Sequence, residues 1–360
     1  MIFPLTPVQK LVPDKKDITM ESQGRERNAV ADLLYRQTGL VYEPPKQMYI
    51  KAGLSQELAE QLHVVGLYRL RKFSPKLHYS MAIRLCPDGT YQALLPQQLH
   101  HWLPLIEARK IISELFLNKK AQDIDLPGAD LACFAARTFT SMKDVPTLVL
   151  LEAEGWRNHD VLPQFSNDRR DHDILTQFDD SREPLQYHLD LRHVKTFEQI
   201  YEPADLPNLC IIRMRHIGSL GETPQYVPVF KGEEGQLTED RDFRYLTGFI
   251  DTQAKSPFFH YLSIGRIPKT ASGQSSKQHP YKMDEGGGIA FKHQTIVEFV
   301  PFFLQPEDEA KEWCHVPHFM RISPAWGGGN IILPYPLHLA KDMLKDQLCI
   351  LESGLDEEEI

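Results

Sequence analysis

Residues 146 to 152 read Pro-Thr-Leu-Val-Leu-Leu-Glu, a strand-length apolar run without polar alternation. A strand with one wet face alternates, so a continuous run predicts a central strand covered on both faces, in a sheet flanked by helices. Polar chemistry begins abruptly at its end, where Glu152, Glu154, Trp156, Arg157 and Asn158 fall within seven residues. Sheets of α/β proteins gather functional groups at such carboxyl ends of strands.

A second constraint lies near the C-terminus. Pro334 and Pro336 fix φ and discourage helix in the residues before them, so the chain is expected to be extended to about Leu337 and helical after it. His338 and Lys341 then fall at i and i+3 on one helical face. Such a junction can deliver the last ligand of a metal site. It reads equally as a C-terminal helix docked by Leu337, Leu339, Met343 and Leu344, with Lys341 in solvent.

Between these landmarks the pattern is mixed. Asn28 to Gly39 and Ser55 to His63 are expected helices, the first closed by a glycine and the second capped by Ser55. Strands are expected over Tyr79 to Leu85 and Thr90 to Pro96, joined by a turn at Pro87, Asp88 and Gly89 in which glycine supplies positive φ. Helices are expected over Trp102 to Leu117, Ala129 to Met142 and Pro306 to Cys314. Further strands are expected over Leu209 to Met214, Tyr226 to Phe230, Phe258 to Ile264 and Thr295 to Phe303. Residues 168–206 and 231–256 read as polar connections, and Lys269 to Gly288 as a polar loop.

The 360 residues are 42% hydrophobic, enough for one large core or two ordinary ones. No run of about 18 apolar residues occurs, and the first residues lack the pattern of a secretory leader, so the expectation is a cytoplasmic chain with no membrane contact. The five cysteines are far apart and form no C-x-x-C pair, which argues against a zinc knuckle or a disulfide framework. The formal charge of −9 argues against indiscriminate nucleic-acid binding, although Asp356 to Glu359 supply four of the negative charges. Basic clusters at 68–72 and 211–216 suit a phosphate-binding groove, or equally a solvated strand edge.

The ordered set of pieces resembles one family. Met81 to Leu85 with Pro87 to Gly89, Trp102 to Pro104, Leu148 to Asn158, Ile212 to Arg215 with Glu222 to Pro224, Tyr261 to Gly265, Glu298, and Leu333 to Lys341 are similar to the RNase H domain of the prokaryotic PIWI family pPIWI-RE. The resemblance covers about residues 28–350. It implies an α/β, RNase H-like (PIWI) mixed central sheet flanked by helices, with a small helical N-terminal segment. On that basis residues 1–65 are an arm and helical segment, a remnant of a MID module; 66–350 are the PIWI domain; 351–360 are an acidic tail. The naming arginine and glutamate fall on Arg157 and Glu298. The implied partners are RNA or DNA, as guide and target, in defence against plasmids or phages. A separate protein would supply MID or helicase function.

Two-metal phosphodiester cleavage needs carboxylates converging from different strands around two Mg2+ ions about 4 Å apart. Glu152, Glu154 and Glu298 are the candidate catalytic residues, and the metal ligands stay open. By the resemblance Lys341 stands where the last active-site residue belongs, and the first strand, taken as Met81 to Leu85, offers Arg84 and only Asp88 in the turn. A protonated lysine cannot ligate Mg2+, so the leading expectation is a nucleic-acid-binding domain with a degenerate nuclease site. Arg157, Lys341, Arg84, Arg213, Arg215 and His338 are its candidate phosphate contacts. An active Mg2+-dependent endonuclease using Glu152, Glu154 and either Asp251 or Glu298 is the alternative; a protein-interaction module without nucleic acid is the third. Arg157 and Glu298 are readable as a buried ion pair or as a phosphate contact with its orienting acid. Trp102, Trp156 and Trp326 read as core or as base-stacking rings. Asp251, His315, His318 and His338 are further candidate ligands, at spacings that match no recognised metal motif.

Overall fold

A computed structural model describes residues 45–73, 76–156, 161–165, 188–216, 261–264, 296–322 and 333–355. The expected helix at Asn28 to Gly39, the strand at Tyr226 to Phe230, the loop at Lys269 to Gly288, Arg157, Asp251, Trp326 and residues 356–360 of the acidic tail lie outside the described residues.

Two short helices, α1 (Lys46–Ala52) and α2 (Gln56–Gln61), come first. Ser55 caps α2 as expected, its Oγ accepting from Leu58 N at 3.2 Å. Strand β1 (His63–Phe73) follows, then β2 (Lys76–Leu85), β3 (Tyr91–Leu94) and β4 (Leu103–Pro104). The turn between β2 and β3 has Gly89 at φ 87°, and Asp88 Oδ1 accepts from Thr90 N at 2.9 Å and Oγ1 at 2.7 Å. Asp88 therefore serves the turn.

Helices α3 (Leu105–Asn118), α4 (Ala121–Ile124) and α5 (Gly128–Thr140) lead to β5 (Thr147–Glu152) and a single turn, α6 (Ala153–Trp156). Beyond them lie the two-residue strands β6 (Leu189–Asp190) and β7 (Ile200–Tyr201), which pair with each other. They are followed by β8 (Leu209–His216), β9 (Tyr261–Ile264), β10 (Ile296–Phe303), α7 (Ala310–Ile322) and α8 (Tyr335–Leu355).

The main sheet has eight strands in the order β4-β3-β2-β1-β5-β8-β10-β9. β1, β5 and β8 are mutually parallel, with Leu67 beside Leu151 and Glu152 beside Met214; β2, β3 and β4 form an antiparallel wing on one side, and β10 and β9 on the other. β5 is thus central, buried through Leu151, as its unbroken apolar run requires.

Each face of the sheet carries its own core. Leu148, Leu150, Cys210, Ile212, Met214, Val297 and Phe299 face one cluster, completed by α3, α7 and α8. Val149, Leu151, Leu209 and Ile211 face the other, completed by α5, Trp156 and Phe165. Tyr49, Ala52, Leu54, Ala59 and Leu62, from α1, α2 and the residues after each, join the first core.

Three expectations need correction. The first strand is β1, an eleven-residue element that includes the basic cluster at 68–72, and Met81 to Leu85 belongs to the second strand. α8 starts at Tyr335, before Leu337, with His338 N bonding Pro334 O at 2.8 Å. Pro336 fits in its first turn because its missing N–H has no helical partner there. α7 runs to Ile322 through Pro317, well past the expected stop at Cys314.

The α8 junction docks on β1 at Gly66. A Cβ there would stand 2.2 Å from Leu337 N, 2.4 Å from Pro336 C and 2.6 Å from Leu337 Cα. Only glycine lets the two backbones approach so closely.

Candidate functional site

β5 ends at Glu152, and the chain turns at once into α6, which carries Glu154. Alternation puts Glu152 on the face of Leu148 and Leu150, the face covered by α8. Tyr68, on the neighbouring strand, belongs to that same face and is 7% exposed.

Charge proximity ties these groups together. Burial pushes the Glu152 carboxyl above the usual carboxylate range; the Lys341 charge opposes this, Glu154 adds to it, and Lys345 opposes it again. The Tyr68 phenol is raised by burial and then by the carboxylates of Glu152, Asp342 and Glu154. On α8, His338 Nε2 lies 3.2 Å from Asp342 Oδ2. The site at the end of β5 is therefore a mixed cluster: Tyr68, Glu152 and Glu154 with Lys341, Asp342 and Lys345.

A carboxyl whose folded-state pKa is raised adds stability below its unfolded pKa and loses it as pH rises through the folded one. Ionised Glu152 therefore costs stability at neutral pH. Glu152→Gln is expected to raise the Tm at pH 7, with the gain shrinking as pH falls towards about 4, where an unfolded glutamate protonates. Paired melts across that range check it, and a gain independent of pH would contradict it.

The other candidates lie elsewhere. Glu298 is 8% exposed on β10, between Val297 and Phe299, whose side chains face the α8 side, so Glu298 points to the opposite face. Arg215 is its direct cross-strand partner in register. Arg213 shares that opposite face, its Nε donating to Phe165 O at 3.0 Å. Arg84 does too: it lies 4.5 Å from the Trp102 ring centroid, donates to Met142 Sδ at 3.4 Å and hydrogen-bonds Gln92 Oε1. Lys341 and His338 are thus separated by the sheet from Arg84, Arg213 and Arg215, and Glu152 from Glu298.

Trp156 is fully buried, its Nε1 donating to Leu67 O at 3.2 Å. That closes the base-stacking reading for this ring. His315 Nδ1 is 3.2 Å from Ala52 O. His318 Nδ1 is 2.8 Å from Ser263 Oγ, and burial, then Arg321, lowers its pKa to about 3. Among the described residues no three His, Cys, Asp or Glu side chains are grouped to hold a metal ion. Nor is any described helix long and apolar enough to cross a membrane.

Sequence reasoning missed Tyr68, Asp342 and Lys345. The available signal for Tyr68 was Val64-Val65-Gly66-Leu67, an apolar run just before it.

A mixed sheet with three parallel central strands, an antiparallel wing on each side and helices on both faces defines an RNase H-like α/β domain. A family model described as the RNaseH domain of pPIWI_RE matches residues 61–348, and the chain belongs to that family. A search among curated proteins returned no match.

Solved structures similar to it include three Argonautes. That of Marinitoga piezophila, in complex with 5′ OH guide RNA and target DNA, is 12% identical over 88% of this chain and 34% of its own, with a TM-score of 0.32. The C-terminal lobe of a budding yeast Argonaute is 10% identical over 92% of this chain and 55% of its own, at 0.38. Kluyveromyces polysporus Argonaute with a guide RNA is 9% identical over 90% and 32%, at 0.36. The chain spans about a third of the length of the full Argonaute chains.

Proposed function

We propose that this PIWI-type domain holds the phosphate backbone of a guide, or of a guide–target duplex, at the end of β5 without cutting it. The observation that carries the reading is the placement of Lys341 and Lys345 beside Glu152, with Tyr68 on the adjoining central strand. Two-metal cleavage draws its ligands from carboxylates on several strands. Here the neighbouring strand supplies a phenol and the final helix the Asp342 carboxylate, 3.2 Å from His338 Nε2, together with two ammonium groups that suit a phosphate and repel Mg2+. Among the described residues Glu152, Glu154 and Asp342 are not grouped to hold a metal ion, and Glu298 is directed to the other face.

Family membership supports the wider reading, a cytoplasmic role in defence against plasmids or phages with a separate polypeptide supplying MID or helicase function. The test incubates the 360-residue chain with end-labelled RNA and DNA in Mg2+. Labelled strands retained on a filter and intact on a denaturing gel are the expected result. Mg2+-dependent cleavage, abolished by Glu152→Ala or Glu154→Ala, would contradict it and favour the active endonuclease.

A further inference from the structure

The β1–β2 ribbon continues past the end of β5. From Tyr68, next after the last β1–β5 pair at Leu67 and Leu151, β1 runs five more residues to Phe73, a reach of about 17 Å. Phe73 is 76% exposed, where a lone phenylalanine gains nothing from the core. Arg71, two residues earlier on the same face of the strand, places its guanidinium 4.6 Å from the Phe73 ring centroid. Lys76 pairs directly across from Phe73, and its side chain is 70% exposed, with Asp125 Oδ2 3.4 Å away. Lys72 completes the basic run.

We propose that Phe73, steadied by Arg71, is a stacking platform for an unpaired nucleobase of the bound strand. The inference rests on the nucleic-acid reading above and deepens it. An apolar protein partner is matched by further apolar side chains around its anchor, whereas Phe73 has Arg71 and Lys76 beside it on its own face, with Lys72 on the other. Cations for phosphate with an aromatic face for a base is the chemistry of single-strand binding. By alternation Phe73 and Arg71 share the face of Leu67, opposite Tyr68 and α8, so a strand held by Lys341 and Lys345 meets this ring by crossing the ribbon beyond the end of β5.

The test measures binding of the full chain to a single strand carrying 2-aminopurine at successive positions. Phe73→Ala is expected to weaken binding by about tenfold, within the range for a lost base stack, while leaving the salt slope and the Tm unchanged. Phe73→Trp retains affinity, Phe73→Leu does not, and quenching at one 2-aminopurine position disappears in Phe73→Ala. Failure of the wild-type chain to bind any strand overturns the nucleic-acid reading and the platform with it. Wild-type binding that Phe73→Ala leaves intact overturns the platform alone, as does a Phe73→Ala defect confined to association with another polypeptide.

Discussion

Gly66→Ala is expected to destabilise the domain by about 3 kcal/mol, at the upper end for overpacking, because the new methyl meets main chain. Its Cβ would stand 2.2 Å from Leu337 N and 2.4 Å from Pro336 C, in the first turn of α8, and neither atom can swing away as a side-chain end can. α8 must therefore lift from β1, withdrawing Leu337, Leu339, Ala340, Met343 and Leu344 from the core. The sign is as informative as the size. In a strand with open space above it, replacing glycine by alanine restricts the unfolded chain and stabilises by about 0.5 kcal/mol. Urea midpoints decide the matter: a higher midpoint for Gly66→Ala would mean that the Pro334 to Leu337 segment does not dock there.

The second large effect is expected at Trp156. Its indole is wholly buried in the core between the sheet and α5, and its N–H satisfies the Leu67 carbonyl of β1. Trp156→Ala is expected to cost about 3–5 kcal/mol through lost burial and the cavity left behind. Trp156→Phe keeps most of the volume but strands a buried carbonyl, at about 1–3 kcal/mol. Thermal melts of the two variants give that ranking. If the ring instead stacked on nucleic acid, Trp156→Ala would leave the melt in place and weaken only binding.

These two positions also show what the sequence made legible. β5 was readable because a central strand buried on both faces has no alternation to disguise it, and the β2–β3 turn because Gly89 needs its positive φ. β1 was hidden by its own chemistry. Gly66 interrupts its apolar run for the sake of α8, and Arg69, Arg71 and Lys72 give its far half the look of a solvated edge. Yet Arg69 is 5% exposed, its guanidinium donating to Gly155 O at 2.7 Å. The start of α8 was misplaced because two prolines were read as barriers where one of them fits the first turn.

The site was legible only in part, for a reason of parity. Glu152, Lys341 and Glu298 were each recognisable as chemistry placed among apolar neighbours. Whether they meet depends on which face of the sheet each occupies, and one residue of register reverses that answer. The pairing of Glu298 with Arg215, and of Glu152 with Met214, sends the two glutamates to opposite faces. Arg84, like Lys341 a candidate phosphate contact, lies on the face of Glu298 and is committed to Trp102, Gln92 and Met142. Beside Glu152 stand Glu154 and a pair of lysines that no spacing rule paired with it, since α8 is brought to this face by docking on β1.

The most direct test of the central claim is the salt dependence of nucleic-acid affinity for the wild-type chain and for the Lys341→Ala/Lys345→Ala double variant. Each lysine that neutralises a phosphate contributes about one unit to the slope of log affinity against log salt. The account predicts a steep wild-type decline and a slope shallower by about two units in the double variant, with a lower Tm at pH 7 because ionised Glu152 loses the two charges that offset its burial. Identical slopes for the two proteins, or a wild-type affinity indifferent to salt, would contradict it.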